Sequence, residues 1–302
     1  MAGDVGGRGP ADRPPPAGLH WIRRAGRRLT FGPSPLQLDS GDPDRSRRQS
    51  QIWDTEVETW LSQIDVQPGW QCVDLGCGVM GILEPLSRRS MPTGRVIAVE
   101  PRPALLLAAR EFVARAGLDN VRLLDTSPDR TTLPEASVHL VHERFLLSGG
   151  ANASALLGEM ERLARPGGIV ALEEPDSAAW RCYPDHEAWS RLREALRATY
   201  AVGGGDLDAG CTTFMLLRDA GFEDVRIRAA TIALQGIHPA KRLLVEMAET
   251  HRERILEAGS MEEQELEQAL ADCDGIARDP STIVISFLVT QAWGRKTGRF
   301  RL

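Results

Sequence analysis

Several things are scarce in these 302 residues. Lysine occurs only at 241 and 296 among 36 basic residues, and aromatic residues make up 5% of the chain. No apolar run approaches the ~20 residues that a membrane span needs, and the N-terminus lacks the apolar core of a secretory signal. We therefore expect a cytoplasmic protein with no membrane partner. The five cysteines, at 72, 77, 182, 211 and 273, show neither a C-x-x-C pair nor a zinc-ligand spacing. They read as reduced, packed thiols, and no metal is expected. The net charge is −6. Phosphate binding needs a clustered basic surface, so nucleic acid is not expected as a partner. The one basic stretch is the head, where residues 1–50 hold nine Arg beside five Asp. No internal repeat is evident.

What is present falls into an order. Residues 1–18 are mostly Gly, Pro, Ala, Asp and Arg with little to bury, and 1–45 reads as a flexible arm or lid carrying Trp21 and Phe31. A domain over 46–302 follows. Its first helix puts Trp53, Val57, Trp60 or Leu61 and Ile64 on one stripe, and Pro68-Gly69 ends it. Short apolar strands are predicted at 71–75, 95–100, 121–125, 138–142 and 168–173, with amphipathic helices at 81–90, 104–116 and 154–164. That alternation indicates a parallel sheet covered on both faces. Further on come helices at 187–200 and 214–220, a strand over 223–234, a helix opened by Pro239, and a capping box at Ser260–Glu263. A last strand runs over 283–293. Segments 177–210 and 238–280 are expected to cap the sheet.

The chain is organised around Val73-Asp74-Leu75-Gly76-Cys77-Gly78-Val79-Met80-Gly81, a strand that breaks at glycine and re-enters as a helix. Gly76, Gly78 and Gly81 fit G-x-G-x-x-G, so on spacing alone a dinucleotide and a different cofactor compete. Asp74 separates them. A carboxylate there repels a pyrophosphate but suits S-adenosylmethionine (SAM), which brings an ammonium group and a sulfonium. Glu100, 19 residues after Gly81, stands where an acid can accept both ribose hydroxyls.

These stretches resemble the class I, Rossmann-like SAM-dependent methyltransferases. VDLGCG (73–78) looks like the family's first motif and VIAVEP (96–101) like its second. LLDTSP (123–128) resembles the adenine-contacting loop, LARPGGIVALEEPD (163–176) the turn into strand five, and LLRDAGFEDVRI (216–227) the run into strand six. The resemblance, from about Asp54 to Trp293, implies a seven-stranded, mostly parallel sheet with helices on both faces and an antiparallel last strand. It also implies an N-terminal helical lid and a helical insert between strands six and seven.

For the cofactor it implies contacts from Asp74, Gly76, Cys77, Gly78, Glu100, Pro101, Asp125, Thr126 and Glu143, with Leu105 or its neighbours packing on the adenine. The acceptor belongs past the carboxyl ends of strands one, four and five. His142, Glu143, Tyr183 and His186 are the candidate catalytic residues, His142 as a general base because an imidazole titrates near neutrality. Leu147-Ser148-Gly149 stands where many relatives carry a histidine after strand four. Trp53, Arg144, Glu174, Trp180, Tyr183 and Trp189 are candidate acceptor-binding residues, the aromatic ones forming a wall that Trp21 or Phe31 could close. We expect a methyltransferase for a small molecule, a natural-product intermediate with an aromatic or indole group being the favoured acceptor. A homodimer is left open. The alternatives are a fold that binds SAM without methyl transfer, an NAD-dependent oxidoreductase, and, least favoured, an RNA methyltransferase.

Overall fold

The computed structural model describes residues 50–298. The expected arm over 1–45, with Trp21 and Phe31, lies outside the described residues. Helix α1 (Asp54–Ile64) buries Val57, Trp60, Leu61 and Ile64 and ends at Asp65, whose left-handed backbone returns its N–H to Leu61 and Ser62. Five strands follow, mostly buried except for the edge strand β3: β1 (Gln71–Leu75), β2 (Arg95–Val99), β3 (Val121–Leu124), β4 (Val138–Arg144) and β5 (Ala164–Asp176). Helices α2 (Leu83–Ser90), α3 (Pro103–Ala116) and α4 (Ala153–Leu163) stand between them.

With β7 (Glu223–Ala230) and β10 (Leu288–Arg295), these strands form a seven-stranded sheet in the order β3-β2-β1-β4-β5-β10-β7. The pairings among β1 to β5 are parallel. The last strand, β10, runs antiparallel between β5 and β7. The expected antiparallel seventh strand is thus observed. The chain leaves β1 toward β2 and β3, then restarts on the other side at β4. This reversal places the switch point of the sheet at the carboxyl ends of β1 and β4, the usual ligand position in such sheets. One sheet face packs Cys72, Leu140, Ala171 and Trp293 with α1; the other packs Val73, Val141 and Leu172 with α4.

A second layer rises over the strand ends. It contains β6 (Arg181–Tyr183), α5 (Glu187–Val202), β8 (Ala233–Leu234), α7 (Leu243–Thr250), α8 (Arg252–Glu257), α9 (Glu263–Arg278) and β9 (Ile283–Ile285), whereas α6 (Thr213–Asp219) packs on the main sheet against β10 and β7. Strands β6, β9 and β8 form a small antiparallel sheet. Here the structure corrects the sequence reading. The strands expected over 223–234 and 283–293 each divide, one half entering the main sheet and the other the small one. Ser286 marks the break, its hydroxyl accepting the Ile232 N–H and pairing with Thr231. The capping box at Ser260 does not form: α9 begins at Glu263 behind Glu262, with no side-chain cap. Strand β5 runs to Asp176, three residues past the expected end, because β10 pairs with it as far as Leu288.

Candidate active site

The glycine turn after β1 is left-handed at Gly76, Gly78 and Gly81, with φ of 70°, 60° and 43°. Its donors are already engaged. The N–H groups of Gly76 and Cys77 donate to the Val99 carbonyl at 2.8 and 3.0 Å, and that of Gly78 to Glu100 Oε2 at 2.9 Å. A pyrophosphate cradle needs free N–H groups; this turn has directed them to β2 and to an acid. Asp74 and Glu100 flank it, both buried. Two buried carboxylates, with the N–H groups of residues 76–78 already engaged, disfavour an anion here, and Asp74 suits a cation. Gly81 cannot be replaced cheaply, because a Cβ there would collide with the Asp74 carboxylate. A Cβ on Gly78 would meet nothing within 4 Å, so the turn stays open on its outer side. The residues present fit SAM.

Comparisons with known proteins agree. A methyltransferase-domain family model matches residues 72–168. An uncharacterized 37.1 kDa transposon protein of Streptomyces fradiae is 28% identical over 74% of this chain, which spans 64% of that protein's length. The demethylmenaquinone methyltransferase of Geobacillus stearothermophilus is 26% identical over 64% of this chain and 86% of its own. Among solved structures, YcgJ of Bacillus subtilis shares the fold with a TM-score of 0.54 at 11% identity, covering 80% of this chain and 98% of that one. Residues 72–168 carry the methyltransferase domain, on the fold of the class I, Rossmann-like SAM-dependent methyltransferases. SAM is its cofactor.

The methyltransferase carries a line of polar side chains on the α1 face of the sheet. His142 Nδ1 lies 2.7 Å from Asp74 Oδ1, and its Nε2 lies 3.6 Å from Glu173 Oε2. Arg144 Nε approaches the same Glu173 oxygen at 3.4 Å. Gln291 donates to Glu173 Oε1 at 2.8 Å and accepts from Arg228, whose guanidinium reaches Glu56 of α1 at 2.6 Å. Register explains the alignment, since Asp74 pairs with His142, Arg144 with Glu173, and Glu173 and Arg228 with Gln291. Burial alone would raise Glu173, but Arg144 and His142 outweigh it and hold that carboxyl below its usual range. Burial would lower His142; Asp74 and Glu173 outweigh it and favour the imidazolium.

The opposite face holds a carboxyl pair. Glu143 Oε2 accepts the Leu146 N–H, and Glu174 accepts those of Leu147 and Ser148 at 2.7 and 3.0 Å. Burial first, then the neighbouring Glu174, pushes the Glu143 carboxyl well above its ordinary range; burial pushes Glu174 up to about 7. Two such acids side by side share a proton. They fasten the loop after β4, where Phe145 takes a left-handed φ of 60° and Leu146 presses on the glycine turn. A Cβ on Gly76 would approach Leu146 to 2.6 Å.

The structure brings some of the expected acceptor residues together. Phe287 lies 5.3 Å from both Trp53 and Trp180 and 6.1 Å from Phe145, between ring centres. Arg144 stacks on Phe145 at 5.0 Å. Trp189 instead lies along the buried stripe of α5. Tyr183 is 50% exposed, and His186 is an exposed cap accepting the Ala188 N–H. His142 is buried with both nitrogens toward carboxylates. Asp125 and Thr126 follow β3 as anticipated, Asp125 exposed and Thr126 half-buried; Pro101 is half-buried behind Glu100. Sequence reasoning missed Phe145, Phe287 and Gln291. Phe145 carried no local signal, and the other two enter the site only through the antiparallel return of the last strand. Among the described residues no His, Cys, Asp and Glu group has metal-binding geometry, and no helix is long and apolar enough to cross a membrane.

Proposed function

We propose that this methyltransferase moves the SAM methyl to a small aromatic acceptor, an indole-bearing natural-product intermediate being the narrower candidate. The observation that supports this is the ring cluster of Trp53, Phe145, Trp180 and Phe287 at the carboxyl ends of β4 and β5. Within it the Trp53 N–H is buried without a hydrogen-bond partner, a donor suited to a polar atom on the acceptor. Arg144 beside Phe145 suits an electron-rich ring or an anionic substituent.

In this reading Asp74 receives the ammonium of SAM and Glu100 the ribose hydroxyls. Gly76, Cys77, Gly78 and Pro101 supply close backbone, and Asp125 with Thr126 meets the adenine. Val79, Leu105 and Ala108, a small apolar cluster of their own, pack on its ring. The bound cofactor supplies an already activated methyl for in-line displacement. The protein's part is alignment and exclusion of water, which the closed aromatic cap and the Glu143–Glu174 fastening of residues 145–148 serve. We place the protein in the cytoplasm, where its five free cysteines stay reduced, and propose no nucleic-acid partner. A homodimer remains a proposal for solution measurement.

The test is incubation with methyl-labelled SAM and a panel of indoles, phenols and aliphatic acids. Label should move to a ring-bearing acceptor, and Trp180→Ala should raise KM for that acceptor more than for SAM. Transfer to aliphatic acids alone would refute the aromatic reading.

A further inference from the structure

The acid at the head of the SAM turn does not stand free. His142, 68 residues further along the chain, holds one Asp74 oxygen from 2.7 Å; the other accepts the Ile82 N–H at 3.4 Å. The imidazole side chain is 1% exposed and is covered by the edge of Trp60, 5.4 Å away between ring centres. Its Nε2 has no hydrogen-bond partner and faces Glu173 at 3.6 Å. An acceptor reaches neither nitrogen. A base needs hydrogen-bond access to the proton it removes, and this ring has its access to carboxylates instead.

We propose that His142 is a positioning residue: it fixes the Asp74 carboxylate in the orientation that receives the SAM ammonium, and is fixed in turn by Glu173, Gln291 and Arg228. The proposal rests on the reading of Asp74 as the ammonium's partner. It explains why a polar line crosses five strands beneath a cofactor that touches only the far end of it. Glu173 is anchored by the Gln291 side chain at 2.8 Å, and Gln291 by Arg228, which Glu56 holds from α1. Each contact limits the rotamers of its neighbours, so Asp74 is held from the side away from the cofactor.

A charge consequence follows. The groups facing the imidazole are Asp74 from β1, Glu173 from β5 and Arg144 from its own strand; α1 presents only the Trp60 ring there. Two carboxylates near one imidazole favour its proton. An ammonium arriving beyond Asp74 adds positive charge to the same carboxylate and competes with that proton. Cofactor binding and protonation of His142 therefore oppose one another, and by linkage each weakens the other equally.

S-adenosylhomocysteine carries the same ammonium and is the probe. Its affinity is measured by calorimetry for the wild type, His142→Leu and His142→Asn. Asn keeps an N–H where Nδ1 stands, so it should bind within about threefold of wild type, whereas Leu should lose about tenfold or more, the scale of one charged hydrogen bond. Wild-type affinity in the Leu variant, or equal losses in both variants, would overturn the proposal. A measurement on unaltered protein guards against a Leu variant that fails to fold. Nitrogen-15 histidine spectra of the wild type should show the His142 titration midpoint falling when S-adenosylhomocysteine is added, and an unmoved midpoint would also overturn it. A wild type that does not bind the probe would instead refute the reading of Asp74.

Discussion

The Arg102 guanidinium occupies the fork of the Glu100 carboxylate, with Nε 2.7 Å from Oε1 and Nη2 3.0 Å from Oε2. The backbone N–H groups of Arg102 and Gly78 take the remaining lone pairs at 3.0 and 2.9 Å. All four acceptor sites of that carboxylate are filled, so ribose hydroxyls can bind only when the guanidinium moves.

Opposite outcomes follow for the two residues. Glu100→Ala should weaken SAM binding by about 1.5–3 kcal/mol, the range for losing charged hydrogen bonds. Arg102→Ala should strengthen it severalfold, about 1 kcal/mol, by removing a competitor for the same oxygens. Calorimetry with SAM reads both, and a weaker Arg102→Ala complex would mean that the guanidinium contacts the cofactor.

Gly81→Ala tests the turn itself. The added methyl must sit at a φ of 43° against the Asp74 carboxylate, and left-handed backbone on a non-glycine residue adds ~1–3 kcal/mol. The variant should melt lower and lose SAM affinity in excess of its stability loss. Unchanged affinity in the folded variant would show that Asp74 is not a cofactor contact.

The Glu143–Glu174 pair makes a pH prediction. Burial raises both carboxyls above the free value near 4.5, that of Glu174 to about 7. The folded state therefore binds more protons across that window. The stability this confers is complete below about 4.5 and is lost as pH rises through about 7. Glu143→Gln replaces the shared proton with a permanent N–H donor to Glu174 and keeps an oxygen for Leu146. Thermal unfolding from pH 5 to 9 should show a flatter profile and a Tm above wild type on the alkaline side, by roughly 2–4 °C per kcal/mol for a domain of this size. A profile as steep as wild type would count against the shared proton.

Lys241 is fully buried, and its ammonium meets four oxygens: the carbonyls of Gly236, Asp279 and Thr282 at 3.0, 2.7 and 3.0 Å and the Thr282 hydroxyl at 2.9 Å. The other lysine, Lys296, holds the carbonyls of Glu161 and Ala164 at the end of α4. Both lysines of an arginine-rich chain serve backbone oxygens that a compact ammonium fits and a planar guanidinium does not. Lys241→Met should cost roughly 3 kcal/mol by leaving buried acceptors unpaired, and Lys241→Arg should be no better. Chemical denaturation checks both, and near-wild-type stability for the Arg variant would refute the size argument.

Much of this protein was set by the sequence alone. The strand–helix alternation, the glycine turn and the acids at Asp74 and Glu100 are local: each depends on neighbours within one βα unit, so periodicity and spacing reveal them. The parallel sheet and the cofactor followed from these. Ser260 shows the limit even of local signals, since its capping box gives way to packing of the cap. What only the tertiary structure decided is which distant groups meet. Nothing near His142 indicates that its partners are Asp74 and Glu173, or that Gln291 and Arg228 stand behind them. Those contacts depend on strand order and on the register of β10 between β5 and β7. Register is fixed by how a whole strand buries its apolar face, and it places a residue 118 positions away at 2.8 Å from Glu173.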